Sequence, residues 1–537
     1  MLDHIEKSKK WTIYAIFLFF LTILITQISS DCFISEFNDD ESSHYLSGLM
    51  IHDYLISGFH ISPINYLKWY YSHYPIIGIG HWGPMFYGIE AAWMLLFSPS
   101  RISVLLLSTA MTTAAATSMY YYGYNSLKLK KISAFFASIA FIICPITQSG
   151  SNSVMLDIPI TLFGILSTLS YVKYIETESI YYSILFGIIS TISILTKGNG
   201  AAMAIIPILL VFFNQKWYLL GKFSFWAPAI LVVVIAGPWY AMTYNHVAAG
   251  FRYTWGFTYT KAAITQNAVF LWAALGPVIL ALAAIGAASG IRRDPAFSSP
   301  GFKGAVALLA AVWIFQSTAP ADLQDRYLAP LLPALFLLAA MGAQVVATTI
   351  QQRTASRAMA SLAFVIPLLS MVPAALHPDI KKPLGIIELA KVVWANRTPT
   401  NPVVLIAAKE SSEVAAVAEL AMADPARPSI FAVRGSRLLG GGGYNRSEYL
   451  PKFANAKQAE REINAFHIPL VLYQADPGGW AHVAQVDAIQ SNAKPAWQIL
   501  GQTGSKQAPV TLYKLPQSEG MSADAGQLLQ LSSPNGL

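Results

Sequence analysis

An acidic run follows the first apolar stretch of the chain. The sequence Asn38-Asp39-Asp40-Glu41 sets three carboxylates shortly after an apolar run that ends near Ile28. A carboxylate at the edge of a bilayer can accept a proton from an attacking hydroxyl, and partial burial raises its pKa toward the range of a general base. A solvated acidic loop without chemistry is the alternative interpretation.

Further charged groups stand at the ends of later apolar runs. Asp157 precedes one run, Lys197 follows another, and Arg326-Tyr327 precedes a third. A cation at these positions can stabilise negative charge that develops on a departing oxygen. Each residue also has a structural alternative. Asp157 can cap the following helix and Lys197 can extend from a helix end to the interface. Arg326 can form a weak surface ion pair with Asp325.

Aromatic and imidazole side chains accompany these charges. The segments His73-Tyr74-Pro75 and His81-Trp82-Gly83-Pro84 lie near a short apolar stretch. A later loop has the composition of a lid over a lipid or sugar site, but an aromatic belt that anchors the chain at the membrane interface explains the same residues. The residues of this loop are His246, Arg252, Tyr253, Trp255 and Tyr259.

The composition indicates that most of the chain is dissolved in lipid. Of 537 residues, 55% are hydrophobic and 12% are charged, whereas about 25% are charged in soluble proteins. The excess of 35 Lys and Arg over 28 Asp and Glu is assigned to membrane orientation, because basic residues mark cytoplasmic loops, and we expect no nucleic-acid partner. The two cysteines, Cys32 and Cys144, predict no disulfide framework.

Apolar runs that can cross a bilayer recur through the first 376 residues. Because a helical span needs about 20 apolar residues, we predict about eleven spans, with ends placed to within about 2–4 residues. The first is expected to be retained as a span and not cleaved as a signal peptide. The predicted spans lie near 11–30, 102–124, 132–149, 158–174, 181–196, 199–213, 226–244, 267–290, 304–319, 328–349 and 358–376.

One further apolar stretch, 83–97, decides the predicted topology. If it does not cross, all the basic clusters share the cytoplasmic side with Lys7 and Lys10, as the positive-inside rule requires. If it crossed, every cluster would lie outside. We therefore predict a surface or re-entrant helix within one external loop, 31–101. The clusters are Lys128, Lys130 and Lys131; Lys216 and Lys222; Arg292, Arg293 and Lys303; and Arg353 and Arg357.

These patterns predict a multi-span α-helical membrane protein with a small C-terminal α/β domain. Residues 1–376 are expected to form the polytopic part, 377–516 the extracytoplasmic α/β domain, and 517–537 a disordered tail. The predicted elements of the domain are strands at 403–407 and 469–473, a helix over 410–423, and a flexible loop at 440–443.

The order of these motifs resembles membrane glycosyltransferases of the GT-C fold, family 39 type, which include protein O-mannosyltransferases and lipid A aminoarabinose transferases. In that family an Asp-Glu pair in the first external loop is followed by a Tyr-containing helix, a Pro-containing juxtamembrane helix and an Arg that opens the next span. The resemblance covers roughly residues 1–350. The matching residues are Asp40-Glu41, Tyr45, Gly83-Pro84, Arg101-Ile102, Asp157, Lys197-Gly198 and Asp325-Arg326-Tyr327-Leu328-Ala329-Pro330.

Two departures affect the comparison. The spacing from Asp40-Glu41 to Tyr45 is one residue longer than the commonest family pattern, which leaves Asp39 as an alternative to Asp40. The usual double proline is reduced to Gly83-Pro84, without the basic residue that some members place before it.

The resemblance implies an inverting transfer of one sugar from a polyprenyl-phosphate donor to a hydroxyl of an extracytoplasmic protein, lipid or glycan. It implies a GT-C membrane domain with juxtamembrane helices in the first external loop. We expect no obligatory cofactor or metal. The roles that it implies are catalytic for Asp40, Glu41 and Asp157; donor phosphate or lipid binding for Arg101, Lys197, Arg326 and Tyr327; and acceptor binding or a lid for Tyr45, His81, Pro84, Arg252 and Tyr259.

Two functions of other classes remain open. A transporter or lipid-glycan flippase would place ionisable groups at the bilayer midplane and show repeated halves, whereas these acids stand at span ends. A polytopic scaffold would recruit partners through its tail and would not need Asp40. The bacterial inner membrane, with a cytoplasmic N-terminus, is the expected location, because Asn396-Arg397-Thr398 is followed by Pro399 and so is a poor glycosylation acceptor.

Cysteine labelling tests the predicted topology. Single cysteines introduced at Ser126 and Ser411 should react with impermeant reagents from the cytoplasmic and the external side, respectively, because stretch 83–97 is predicted not to cross. The measurement compares labelling of intact and permeabilised cells. Labelling of Ser126 from the external side and Ser411 from the cytoplasmic side would contradict the assignment of 83–97, and labelling of both from the same side would contradict the number of spans between them.

Overall fold

The computed structural model describes most of the chain. The predicted disordered tail, 517–537, lies outside the described residues, as do Arg292 and Arg293 of the basic clusters. The described residues are 2–249, 251–291, 299–376, 379–441, 449–476, 479–505 and 508–516.

Helices make up most of the described chain. The helices are, in chain order, α1 (Leu2–Ser29), α2 (Asp39–Ile56), α3 (Pro63–His73), α4 (Met85–Leu96), α5 (Arg101–Asn125), α6 (Lys131–Ile143), α7 (Pro145–Ser151), α8 (Asp157–Thr177), α9 (Ile180–Thr196), α10 (Ile205–Asn214), α11 (Phe223–Ala249), α12 (Phe257–Ile291), α13 (Pro300–Thr318), α14 (Leu332–Thr354), α15 (Arg357–Leu376), α16 (Ile386–Asn396), α17 (Glu410–Ala423), α18 (Gly435–Leu438), α19 (Ala456–Ala465) and α20 (Ala481–Asn492). Short 3₁₀ helices lie at Gly198–Ala204, Trp217–Gly221 and Asp325–Leu331.

The chain divides into two compact units. The predicted boundary at 376 falls close to the junction after Ile380, but the C-terminal segment does not form a unit by itself. It shares its unit with most of the predicted external loop 31–101. The first unit is Met1–Ser30, Gly80–Phe86 and Leu105–Ile380, and the second is Asp31–Ile79, Tyr87–Val104 and Lys381–Leu537.

Apolar helices build the first unit, because backbone groups in lipid must find their hydrogen bonds within the helix. Among the described residues, seven helices are long and apolar enough to cross a membrane: α1, α5, α8, α11, α12, α13 and α14. The bent pair α6 and α7 adds one more. Three other predicted spans correspond to shorter apolar helices, namely α9, α10 together with the 3₁₀ helix before it (Gly198–Asn214), and α15; α4, with fewer residues than these, is of the same class. The eleven predicted segments therefore correspond to seven long helices, one bent pair and three short helices.

Pro145 breaks the predicted span 132–149. Helices α6 and α7 are bent by 66° relative to each other. The residue before a proline disfavours helical geometry, and Cys144 between them is extended, with φ −63° and ψ 133°. This predicted span is consequently not a straight helix.

Helices α12 and α14 cross closely because each has a glycine at the contact. A Cβ atom on Gly286 would lie 2.0 Å from the carbonyl oxygen of Leu338, and one on Gly342 would lie 1.9 Å from that of Leu282. Small residues allow this approach of two backbones in lipid.

The second unit contains the helices of the predicted external loop. Helix α4 has 12 residues and spans about 18 Å at 1.5 Å per residue, which is short of the hydrocarbon core of about 30 Å. This length agrees with the prediction that stretch 83–97 does not cross. Helices α2 and α3 precede it in the same loop.

A five-stranded mixed sheet forms the core of the C-terminal part of the second unit. Its order is β2-β1-β5-β7-β6, with β1 parallel to β2 and β5, and β7 antiparallel to β5 and β6. The predicted strands 403–407 and 469–473 and the helix over 410–423 correspond to β1, β5 and α17. The predicted loop at 440–443 was wrong in part, because Gly440 and Gly441 pair as a short strand with residues 450 and 451. The strands are β1 (Val403–Ala407), β2 (Phe431–Arg434), β3 (Gly440–Gly441), β4 (Leu450–Pro451), β5 (Leu470–Gln474), β6 (Gln498–Ser505) and β7 (Ala508–Lys514).

The end of α3 is fixed to this sheet by two contacts within the second unit. The ring of His73 stacks on Phe431 of β2 with centroids 3.9 Å apart. The hydroxyl of Tyr74 donates a hydrogen bond of 2.6 Å to Asp424, which follows α17. The predicted external loop and the α/β domain therefore fold together.

Glu90 of α4 is buried against α2. Its side chain is 0% exposed, and neither carboxyl oxygen has a hydrogen-bond partner among the described residues. Gly48 of α2 provides the space, since a Cβ there would lie 2.2 Å from Glu90 Oε2. Burial raises the pKa of this carboxyl well above its ordinary value of 4.5, so the group is protonated in the folded protein.

Replacing this carboxyl should change how stability depends on pH. Above pH 4.5, the ordinary pKa, the unfolded state ionises at Glu90 while the folded state stays neutral, so stability falls as pH rises toward the raised pKa. We expect E90Q to gain on the wild type by about 1.4 kcal/mol per pH unit in this range. Thermal unfolding in detergent between pH 5 and pH 8 measures the difference. The exposed carboxyl of Glu388 supplies the control, and E388Q should follow the wild type; parallel curves for E90Q and wild type would contradict the prediction.

Candidate active site

A buried ion pair joins two of the predicted site residues in the first unit. Asp157 opens α8 and Lys197 follows α9, and the Lys197 Nζ donates to Asp157 Oδ1 over 2.7 Å. The two residues are 1% and 7% exposed. Leu156, not Asp157, is the cap residue of α8, and burial of Lys197 excludes its extension to the interface. The structure therefore supports neither the capping role of Asp157 nor the extension of Lys197 to the interface.

Tyr327 and Arg326 extend this pair into a cluster. The Lys197 Nζ lies 4.3 Å from the centroid of the Tyr327 ring, and the Arg326 guanidinium carbon lies 5.6 Å from the same centroid. Cations over the face of an aromatic ring are attracted by its quadrupole. The structure thus brings together four predicted residues from three separate segments. We call Asp157, Lys197, Arg326 and Tyr327 the cationic cluster.

A chain of hydrogen bonds leads from this cluster to the predicted lid loop. Arg326 Nε donates to Gln324 Oε1 over 2.5 Å, and Gln324 Nε2 donates to Asp322 over 2.8 Å. Asp322 then accepts from Arg252 Nη1 at 3.1 Å. Arg252 is therefore connected to Arg326 through two intervening polar side chains. Its own side chain is exposed by 64%.

Tyr259 is held more firmly than a mobile lid residue would be. Its ring is buried at the start of α12, and its hydroxyl lies 3.4 Å from the carbonyl oxygen of Gln316. The ring of Tyr253 packs against it with centroids 5.3 Å apart. These contacts hold Tyr259 inside the protein, and both its lid role and its interfacial-anchoring alternative stay predictions.

The segment with His81 and Pro84 packs beside the end of α9. A Cβ on Gly83 would lie 2.0 Å from the carbonyl oxygen of Leu195, so only glycine allows this contact. His81 Nδ1 lies 3.1 Å from the carbonyl oxygen of His246. Pro84 follows Gly83 directly and is half-buried. The segment therefore lies next to the end of α9, which Lys197 directly follows.

The acidic run begins α2 in the second unit. Asp39 and Asp40 are the first two helical residues and are half-buried, a position where the helix dipole favours negative charge. Glu41 is fully buried and pairs with Lys381 at 2.7 Å. Its carboxylate also accepts the backbone N–H of Asn38 in a capping box. Glu41 therefore has a structural task in the start of α2, and its catalytic role stays a prediction.

Arg101 is engaged with the C-terminal part of its own unit. Its guanidinium donates to Glu419 of α17 and lies 5.1 Å from the centroid of the Phe37 ring. Burial raises the pKa of Glu419, while the positive charge of Arg101 opposes that rise. The side chain of Arg101 is 7% exposed. In this structure Arg101 therefore binds a protein carboxyl, and phosphate binding stays a prediction.

Tyr45 differs from its predicted role in acceptor binding. The residue is 0% exposed, and its hydroxyl donates to the carbonyl oxygen of Pro99 over 2.8 Å. Burial raises the pKa of this hydroxyl, so it remains a donor. Because the ring packs on Phe37, Tyr45 connects α2 to the segment before α5 and presents no free surface to an acceptor.

Known sequences and structures show which proteins this chain resembles. A sequence profile of the family described as Dolichyl-phosphate-mannose-protein mannosyltransferase matches residues 89–283. ArnT from Cupriavidus metallidurans in the apo state is 12% identical and aligns with a TM-score of 0.61, over 96% of this chain and 100% of that chain. The apo oligosaccharyltransferase from Archaeoglobus fulgidus is 12% identical, with a TM-score of 0.56 over 87% of this chain and 70% of that chain. No curated protein sequence matches this chain significantly.

The chain has the GT-C fold of membrane glycosyltransferases. The family profile covers the segments of Arg101, Asp157, Lys197 and Arg252. The predicted fold class, a multi-span helical protein with a C-terminal domain that contains strands, is confirmed, and the profile match over residues 89–283 agrees with the predicted resemblance to family 39.

The protein contains a second buried ion pair, which was not predicted from the sequence. Arg427 donates to the Asp53 carboxylate at 3.0 and 3.5 Å, and Tyr70 and His52 also bond this carboxylate, at 3.0 and 2.8 Å. Burial by itself lowers the pKa of Arg427, but the charge of Asp53 outweighs it and the pKa is raised. No local sequence motif predicts this pair, because 374 positions separate Asp53 from Arg427.

The part of the protein that the structure describes contains no preformed metal site made of side chains. No set of three or more His, Cys, Asp or Glu residues lies close enough to hold a metal ion there. The expected absence of an obligatory metal stays a prediction.

The ion pair of Asp157 and Lys197 should contribute strongly to the stability of the protein. Changing either residue, as in D157N or K197M, leaves a buried charge without its counter-charge, and we expect the free energy of unfolding to fall by about 3–5 kcal/mol. The double variant should lose less than the two single losses added together, because it leaves no unpaired charge. Denaturant unfolding in detergent measures these differences.

An exposed ion pair on the same helix provides the control. Lys173 and Glu176 of α8 lie at the same 2.7 Å separation but are 46% and 32% exposed. K173M should therefore cost only about 0–1 kcal/mol. Equal losses for K173M and K197M would show that burial does not determine the strength of the Asp157–Lys197 pair.

Proposed function

We propose that the protein transfers one sugar from a polyprenyl-phosphate donor to a hydroxyl of an extracytoplasmic protein, lipid or glycan, with inversion at the anomeric carbon. Its GT-C fold and the match to the mannosyltransferase profile support transfer of a sugar. The observation that carries the proposal is the cationic cluster, because it holds preformed positive charge at the ends of apolar helices, where we propose that the lipid-linked phosphate binds.

Ligands of two similar proteins support the class of donor. ArnT from Cupriavidus metallidurans binds undecaprenyl phosphate in a structure that aligns over 94% of this chain and 99% of that chain, at 12% identity and a TM-score of 0.60. The Archaeoglobus fulgidus oligosaccharyltransferase AglB binds dolichol-phosphate together with an inhibitory peptide. Both ligands combine a phosphate with an isoprenoid chain, which is the chemistry that we propose for the donor here.

The cationic cluster suits the departure of a lipid phosphate. When the bond between the anomeric carbon and the phosphate oxygen breaks, the bonding electrons leave with that oxygen and its negative charge grows. Lys197 and Arg326 provide positive charge for this oxygen without reorganisation, because their side chains are already fixed by Asp157 and Gln324. Tyr327 orients both cations through its ring. Arg101 is the further proposed phosphate ligand, and it must exchange its contact with Glu419 to act.

Asp40 is the proposed general base. The acceptor oxygen forms the new bond to the anomeric carbon, and its proton passes to the Asp40 carboxylate. Attack opposite to the leaving phosphate inverts the anomeric centre, so no covalent enzyme intermediate is needed. The place of Asp40 in the first turn of α2, half-buried, supports this role. Asp39, the preceding residue, is the alternative base.

The acceptor is proposed to approach from the extracytoplasmic side of a bacterial inner membrane, with the N-terminus in the cytoplasm. The basic clusters between spans support this orientation by the positive-inside rule. Arg252, with its exposed guanidinium at the end of the hydrogen-bond chain to Arg326, is proposed to contact the donor or acceptor as it enters. His81 and Pro84 are proposed to shape the same entrance.

Removal of the proposed base should abolish transfer. Purified protein is incubated with labelled polyprenyl-phosphate sugars and a membrane extract, and the labelled product is measured for the wild type, D40N and D39N. We expect kcat to fall by about 100-fold or more for D40N, since general base catalysis contributes about 10²–10⁴-fold. D39N should keep most of the activity.

E388Q is the matched control, because it removes an exposed carboxylate of the same unit and should leave transfer unchanged. A large loss in D39N alone would assign the base one residue earlier. Undiminished transfer by both D39N and D40N would exclude the acidic run as the base.

A further inference from the structure

The segment that leads into the α/β domain binds the last residue of the acidic run and two residues that precede the run. We call residues 381–387 the linker segment and residues 35–41 the acidic segment; both belong to the second unit. Lys381 Nζ donates to both oxygens of Glu41, at 2.7 and 2.8 Å. The hydroxyl of Ser35 donates to the carbonyl oxygen of Lys381 over 2.8 Å. A single linker residue therefore contacts the first and the last residue of the acidic segment.

Glu36 provides a second attachment between these segments. Its carboxylate accepts the backbone N–H groups of Leu384 and Ile386 at 2.7 Å each and that of Ile387 at 3.3 Å. These groups form the start of α16, whose cap residue is Gly385 and so has no side chain to accept them. Glu36, which is 6% exposed, supplies the acceptor from the acidic segment.

These attachments fix the backbone on either side of Asp39 and Asp40. Asn38 and Glu41 close a reciprocal capping box, with Glu41 Oε2 accepting from Asn38 N at 2.9 Å and Asn38 Oδ1 accepting from Glu41 N at 3.3 Å. Because Lys381 holds the same Glu41 carboxylate, the box and the linker segment share one anchor. The two aspartates are the residues enclosed by the box.

We infer that Lys381 is a positioning residue, through which the linker segment orients the acidic segment and the base that it carries. The inference rests on the proposed function for Asp40. Lys381 acts through Glu41 and contacts neither donor nor acceptor. By this route the α/β domain contributes to the rate of transfer through the segment that attaches it, whatever else the domain binds.

Burial makes the ion pair of Glu41 and Lys381 strong enough to hold the acidic segment in place. An exposed pair contributes little, because water and salt screen it. The Glu41 side chain is 0% exposed and that of Lys381 is 21% exposed, so loss of the ammonium leaves a buried carboxylate without its cation. The start of α2 then loses the group that holds the capping box, and the aspartates can move relative to a bound sugar.

The test uses the full-length protein and three variants. K381M removes the cation, K381R keeps a cation in its place, and K382M removes the neighbouring exposed lysine as the matched control. Two measurements are made: hydrogen exchange of the peptide that covers residues 35–45, and kcat and KM for the donor in the labelled-sugar assay.

We expect faster exchange of this peptide in K381M and wild-type exchange in K382M. The kcat of K381M should fall by about 10- to 100-fold, since displacement of a catalytic group by about 1 Å costs about 10²-fold. The KM for the donor should change little, because the donor phosphate is bound elsewhere in the proposal. K381R should recover most of the lost kcat. If K381M does not fold, K381Q, which keeps a hydrogen-bond donor without the charge, takes its place with the same expectations.

Each outcome bears on one proposal. Unchanged exchange in K381M would overturn the attachment of the acidic segment. Faster exchange with an unchanged kcat, or an effect on KM alone, would overturn the positioning role. Absence of sugar transfer by the wild type would overturn the proposed function, while the exchange rates would still test the attachment by themselves.

Discussion

A charge buried among apolar helices is costly unless an opposite charge is buried with it. In the first unit this constraint joins Asp157 at the start of α8 to Lys197 at the end of α9. The pair fixes the ends of two helices and also holds the cation that the proposed chemistry needs. Tyr327 and Arg326 then have a defined partner to pack against. Positive charge for a leaving phosphate and the stability of the helices consequently depend on the same buried contact.

The same constraint organises the second unit over much longer distances along the chain. Arg101 and Glu419 are separated by 318 positions, Glu41 and Lys381 by 340, and Asp53 and Arg427 by 374. Each pair joins the external-loop segments to the linker segment or the α/β domain. Charged contacts, together with the stacking of His73, therefore attach this domain to the helices that follow the first span.

Sequence reasoning succeeded where a residue type and its place in the span pattern were informative together. Asp157, Lys197 and Arg326 stand at ends of apolar runs, and their order matches a family, so their common location was predictable. The partners of Glu41 and Asp53 were not, because pairing between residues hundreds of positions apart leaves no local periodicity or spacing to detect. Tyr45 illustrates the opposite error, since a motif match gave no information about its complete burial.

The discontinuous composition of the second unit has a consequence for protein engineering and for recombination between relatives. A chimera that exchanges only the chain after Ile380 brings a foreign surface to Glu41, Asp53 and Arg101, each of which then faces a missing or mismatched counter-charge. The exchangeable module must also include residues 31–79 and 87–104. Grafting a new C-terminal domain onto this scaffold therefore requires three exchanged segments with five junctions in the gene, not one segment with one junction.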